Sequence, residues 1–152
     1  MNQVLFDILI TLIAFVGMEG VAWLTHKFLM HGLFWFLHHD HHHKPEPGFL
    51  ERNDFFFLIF AIPGFLCLLY GTYHSSLFLY IGIGITLYGA CYFFVHDIFI
   101  HQRIKALRNS QNWYLKGIRR AHKMHHKHIG KEDGECFGML WVPLRYFREN
   151  RN

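Results

Sequence analysis

Ten histidines in this chain fall into four clusters, and the clusters make one pattern twice. His26 and His31 are spaced HX4H, and His38, His41 and His42 follow as HX2HH. His96 and His101 repeat the first spacing, and His122, His125 and His126 repeat the second. Imidazole is the commonest side-chain ligand for transition metals and binds through a neutral ring nitrogen. Ten such groups are too many for one first-row ion, whose coordination number is at most about six. Two ions with roughly five nitrogens each is the natural reading, and it points to redox chemistry rather than a structural staple. Zinc typically takes four ligands, or three plus water, which leaves too many histidines unused. A pair of iron ions, five-coordinate with open positions, would use all ten and could activate oxygen. Four-helix di-iron proteins differ, because they rely on Glu and Glu-x-x-His.

The spacing constrains the elements that carry these rings. Residues at i, i+3 and i+4 share one helical face, so each HX2HH cluster converges on a helix. An i, i+5 pair subtends about 140° on an ideal helix. His26 with His31, and His96 with His101, therefore need a wide site, a frayed helix end or a π-bulge. The run from His38 to His43 has two registers, His38/His41/His42 or His39/His42/His43, and a metal-scavenging tract is a third reading. His128 reads as part of a basic surface segment. Three acidic residues stand near the clusters: Asp40 inside one, Asp97 after His96, and Glu19 two turns before His26. Carboxylates in such places commonly orient ligating rings, or else cap helices and face solvent.

Three apolar stretches, residues 4–24, 55–73 and 77–95, each have about the 20 residues that cross a hydrocarbon core. The whole chain of 152 residues is 52% hydrophobic with 17 Phe, which suits a membrane domain better than a soluble one. Met1-Asn2-Gln3 carries no cation, so the first stretch does not read as a secretory signal. Pro63 should kink the second stretch, a feature membrane helices tolerate. The three cysteines (Cys67, Cys91, Cys136) are an odd number at unrelated spacings, which argues against a disulfide framework and for a reducing compartment.

All 15 Lys and Arg lie outside the apolar stretches, and none occurs before Lys27 or in the turn 71–76. The positive-inside rule puts the N-terminus and that turn outside, with residues 26–54 and 96–152 in the cytoplasm. All four clusters then gather on one side, while His74 sits on the other as an ordinary turn residue. A metal transporter would instead line a path across the bilayer with its ligands. The expected fold is all-α: an integral membrane helical bundle of three to four membrane helices, with cytoplasmic helices at 33–43 and 118–128 capping a histidine-rich di-metal site. A shallower fourth helix is expected at 112–121 or 137–146. Residues 1–152 are read as a single membrane-embedded domain. Phe93, Phe94, Gly82, Gly84 and Gly89 either line a path for a lipid-dissolved substrate or serve ordinary packing.

No Gly-rich dinucleotide fingerprint and no CxxCH occurs, so electrons must come from an external reductant. Residues 96–152 hold 12 Lys and Arg against 5 Asp and Glu, whereas 1–95 are net −3. A basic cytoplasmic face suits an acidic donor of the ferredoxin type, anionic membrane lipid, or both. Nothing in the chain reads as a nucleic-acid module.

The strings Gly17-Met18-Glu19, His26-Lys27, Met30-His31-Gly32 and Glu51-Arg52-Asn53-Asp54 carry a resemblance. So do Tyr92 through Asp97, His101-Gln102-Arg103, His122-Lys123-Met124-His125-His126, and Phe137-Gly138-Met139-Leu140 with Pro143. The chain resembles the membrane di-iron enzymes of the fatty acid hydroxylase and sterol desaturase superfamily and, within it, the bacterial carotene hydroxylases. In that branch the spacing from Met30-His31-Gly32 to the next cluster favours His38, His41 and His42. The resemblance implies an inner-membrane oxidoreductase of carotenoid biosynthesis, a monooxygenase with two irons on the ten histidines and O2 as co-substrate. It implies β-carotene as substrate, hydroxylated at C3 of each β-ionone ring to zeaxanthin by way of β-cryptoxanthin. A sterol, a fatty acyl chain or another carotenoid is the alternative substrate for the same centre.

Overall fold

A computed structural model describes residues 2–43 and 50–148, which form helices joined by turns. Helix α1 spans Gln3–Leu24, its first turn capped by Asn2, whose side chain accepts the Val4 N–H at 3.1 Å. It runs on into a π-helical segment, Thr25–Leu33, which kinks at Gly32 before α2, Trp35–His42. A 3-10 turn at Arg52–Asp54 opens α3, Phe55–His74, which continues through Pro63. Ser75, left-handed at φ 46°, reverses the chain into α4, Phe78–Phe93. A second π segment, Phe94–Ile100, extends α4. Helix α5 covers Trp113–Lys127, and a 3-10 turn, Leu144–Phe147, lies near the end.

Three helical stretches are long and apolar enough to cross a membrane: Gln3–Leu33, Arg52–His74 and Phe78–Ile100. They coincide with the three apolar runs of the sequence. Their outer faces expose large side chains such as Ile13, Val16, Phe57 and Phe65, as lipid-facing helices do. The 22 residues of α1 extend about 33 Å, enough for a hydrocarbon core of about 30 Å.

Helix α4 packs against both α1 and α3. A Cβ on Gly84 would run into the Thr11 carbonyl and Ala14, and one on Gly82 into the Leu68 backbone. These two glycines thus serve close helix approach, the packing alternative to a substrate path. Gly89 meets nothing within 4 Å, and Phe93 and Phe94 are exposed.

Val95, Ile118, Ala121, Met139 and Val142 form a small core that fastens α5 and the C-terminal segment to the end of α4. Helix α5 starts five residues earlier than the 118–128 expectation, because Asn112 accepts the Tyr114 and Leu115 N–H groups as an N-cap. The helix expected at 112–121 is therefore the first half of α5. Among the described residues of 137–146 the helical turn is the one opening at Leu144. All three cysteines are free thiols.

Candidate metal centre

The two HX4H pairs owe their convergence to the π segments. In each, a backbone bond spans five residues: Phe34 N–H to Leu29 O at 2.7 Å, and His101 N–H to His96 O at 2.9 Å. The widened turn lets residues five apart share a face. His26 and His31 rings lie 5.3 Å apart, and His96 and His101 rings 4.5 Å apart. Of the three routes open from sequence, the π-bulge is the one used.

On α2, His38, His41 and His42 are buried, while His39 and His43 are exposed and stack on each other at 3.9 Å. The first register is therefore the inward one. On α5, His122 and His125 are buried and His126 is half-buried, pointing toward the same centre.

Nine of the ten rings gather into two adjoining sets. One comprises His26, His31, His38, His42 and His125; the other contains His41, His96, His101 and His122, with candidate ligand atoms within 4.8 Å of one another in each set. His126 packs 4.5 Å from both His122 and His42, 4.8 Å from His41 and 5.0 Å from His101, ring to ring, and its buried Nε2 lacks a hydrogen-bond partner among the described residues.

In the first set, every Nδ1 faces an oxygen. His26 donates to Phe137 O at 3.0 Å, His31 to Lys131 O at 3.1 Å, and His42 to His128 O at 3.0 Å. His125 donates to Glu135 O at 2.8 Å, and His38 to Asn53 Oδ1 at 2.7 Å. A carbonyl oxygen only accepts, so the proton is on Nδ1 and each Nε2 presents a lone pair. Those lone pairs point at one another: His31 to His125 at 3.2 Å, His26 to His38 at 3.2 Å, and His42 to His38 at 3.1 Å. Such an arrangement suits a cation between the nitrogens. Two nitrogens bound at right angles, each about 2.1 Å from one ion, would sit about 3.0 Å apart. The donor set fits a metal.

The second set has the same spacing, with His41 and His96 Nε2 atoms 3.0 Å apart and His101 and His122 Nε2 atoms 2.8 Å apart. Here the named acceptors are carboxylates: Glu51 for His41 Nδ1 at 2.8 Å, and Asp97 for His96 Nδ1 at a longer 3.3 Å. Burial disfavours the imidazolium form on α2, α5 and at His101. It pushes His38 and His125 down to about 2, His126 to about 3 and His42 to about 4, and lowers His41, His101 and His122 as well. Burial thus favours the neutral form of these seven rings, the form a ligand must take.

The groups that orient the rings were less visible in the sequence. Of the three flagged carboxylates, only Asp97 touches a cluster ring. Asp40 accepts the Arg52 N–H at 2.9 Å. Glu19 accepts the backbone N–H groups of Met139, Leu140 and Trp141 at 2.8–3.1 Å, and the Tyr88 hydroxyl at 2.8 Å. It pins the segment after α5, whose carbonyls at His128, Lys131, Glu135 and Phe137 face the first set. Asn53 and Glu51 were present in the quoted string Glu51-Arg52-Asn53-Asp54 but had no assigned part. The carbonyls carry no side-chain signal at all.

Comparison with known proteins places these features. The family model described as fatty acid hydroxylase matches residues 11–144. The chain is 39% identical over 139 residues to a beta-carotene hydroxylase of Pantoea ananas, covering 91% of this chain and 79% of the relative. It is 37% identical to a beta-carotene hydroxylase of Pseudescherichia vulneris, over 91% and 78%. A chloroplastic beta-carotene hydroxylase 2 of Capsicum annuum is 38% identical over 86% of this chain and 42% of the relative. No solved structure matches. With three membrane-length helices, two histidine sets suited to a buried di-metal site and this similarity along most of its length, the chain belongs to the fatty acid hydroxylase family, alongside the beta-carotene hydroxylases.

Proposed function

We propose that this protein hydroxylates β-carotene at C3 of each β-ionone ring, forming zeaxanthin by way of β-cryptoxanthin. Two iron ions are held by His26, His31, His38, His42 and His125 and by His41, His96, His101, His122 and His126. The observation that carries this reading is the pair of buried nitrogen sets with facing lone pairs. Similarity to beta-carotene hydroxylases supplies the substrate. At C3 of each ring a C–H becomes a C–OH. One oxygen atom of O2 enters the product, and the other leaves as water once two electrons and two protons arrive. Bound iron supplies oxygen activation and the removal of hydrogen from an unactivated carbon.

The protein's own residues hold, orient and exclude. The carbonyls after α5 fix the rings of the first set, and Glu51 and Asp97 fix two of the second. An apolar groove of about 390 Å³, lined by Phe15, Val16, Tyr88, Trp113, Tyr114 and Trp141 among others, receives the carotenoid ring from lipid. Tyr92 connects it to the centre, its ring 6.3 Å from Tyr88 and 5.1 Å from His96. The metals lie on the cytoplasmic side of a bacterial inner membrane, where basic residues of 96–152 meet an acidic, ferredoxin-type donor.

Expression in a β-carotene-producing host, with iron analysis of the purified protein, tests the reading. Expected are β-cryptoxanthin and zeaxanthin together with about two irons per chain. Unchanged pigment alongside metal-loaded protein would reject the substrate and leave a sterol or acyl chain for the same centre.

A further inference from the structure

Arg103 sits partly buried among three carboxylates, and two of those carboxylates touch cluster histidines. Its Nη2 lies 3.1 Å from Glu51 Oε2 and 2.7 Å from Asp54 Oδ1, Nη1 is 2.9 Å from Asp54 Oδ2, and Nε is 2.9 Å from Asp97 Oδ1. Glu51 uses that same Oε2 to accept from His41, and Asp97 uses its other oxygen, Oδ2, for His96. The guanidinium is brought there by the turn after the second π segment. Gln102 is left-handed at φ 57°, and its amide donates to Ile98, Phe99 and Ala106 carbonyls. The Arg103 N–H donates to Asp97 O at 2.9 Å, folding the side chain back under the centre. Planar, with five donors in a fixed fork, Arg suits several carboxylates at once in a way Lys does not.

We infer that Arg103 is a positioning residue for the second metal position alone, and that the two metal positions are chemically inequivalent. The inference rests on the ten-histidine ligand set proposed above. In the first set the ring partners are four backbone carbonyls and one amide oxygen, all neutral. In the second, two rings lean on carboxylates that Arg103 spaces and partly neutralises. A carboxylate acceptor makes imidazole a stronger donor than a carbonyl does, so the ion on His41 and His96 sits in the more electron-rich site.

The test is made on the full chain, purified in detergent and loaded with 57Fe, using iron content and Mössbauer spectra as readouts. Wild type should hold two irons per chain and give two distinct quadrupole doublets of equal area. Arg103→Gln should lower second-site affinity by roughly 10- to 100-fold, so that one doublet fades while the other keeps its parameters. Arg103→Lys should restore that doublet only in part. Glu51→Gln keeps an acceptor oxygen for His41 and disturbs folding less. It should retain both irons and shift the same single doublet. Loss of both doublets together in Arg103→Gln with none moved in Glu51→Gln, equal movement of both, or no change in either variant would overturn the inference. Failure of the underlying ligand reading looks different: wild type itself would hold fewer than two irons, or keep two after His122→Ala.

Discussion

The two halves of the chain carry the same histidine pattern, yet neither half builds its own metal site. The N-terminal copy sends His26, His31, His38 and His42 to the first set and His41 to the second. The C-terminal copy sends His96, His101 and His122 to the second and His125 to the first, while His126 packs between them, 4.5 Å from both His122 and His42. The exchanged residue is the i+3 member of HX2HH in both copies. On a helix i and i+4 lie about 40° apart, while i+3 lies about 100° from i+4, on the other flank. With α2 and α5 meeting at the centre, the i and i+4 rings would serve the near ion under the proposed ligand set and the i+3 ring would reach across. The repeat is therefore an interlocked pair, in which each ion would tie both halves together.

The most damaging way to break that interlock is to remove an exchanged ring. His125→Ala, although in the C-terminal helix, should drain the first site, and His41→Ala, although in the N-terminal helix, should drain the second. Each should reduce product formation by at least about 100-fold, since a ligand costs no less than an outer partner. Site-resolved spectra of the iron-loaded variants check the direction. If His125→Ala emptied the same site as His122→Ala, each half would own its ion and the exchange would be wrong.

Much of this centre was legible in the sequence because ligands must be specific residue types at helical spacings. HX2HH fixes a face on any α-helix, and the buried trio on α2 is the one the spacing from Met30-His31-Gly32 favoured. The i, i+5 pairs were legible as candidate ligands but not as geometry. A π segment is set by how the helix end packs, and Val95, Ile118 and Met139 that pack there look like any apolar residues. The exchange between sets was not legible either, since it depends on how α2 and α5 face each other. Glu19 shows a different limit. Its position two turns before His26 pointed toward the rings, but three backbone N–H groups of the C-terminal segment reach it instead. Backbone partners leave no trace in residue types.

That peg offers a way to sharpen the contrast between the sets. Glu19→Gln removes the charge that three N–H groups and the Tyr88 hydroxyl share. Hydrogen bonds to a charged group contribute about 1.5–3 kcal/mol each, and water replaces part of that, so a loss of about 2–3 kcal/mol in stability is expected. Gly138→Ala should act in the same direction, because its Cβ would meet the Trp141 carbonyl and crowd Glu19 Oε1. The segment these changes loosen supplies Phe137 and Glu135 carbonyls to His26 and His125. Iron should therefore leave the first site before the second. Thermal unfolding followed together with iron release checks both the size and the order, and simultaneous release from both sites would count against separate anchoring.

The smallest effect is expected where the pattern is richest in histidine. His39 and His43 share α2 and its end with three converging rings, yet they stack 3.9 Å apart on the exposed side, and the His43 Nδ1 donates to the His39 carbonyl at 2.8 Å. Among the described residues no hydrogen bond ties their nitrogens to either set. The double variant His39→Ala/His43→Ala should retain both irons, change stability by no more than about 0.5 kcal/mol as exposed substitutions do, and keep product formation within about twofold. Substituting His38 and His42 in the same way should empty the first site. If the outer pair proved as costly as the inner one, α2 would have to rotate by about 100° between the structure and the working protein, one residue of register. The division of labour between i, i+3 and i+4 would then have to be redrawn from His39.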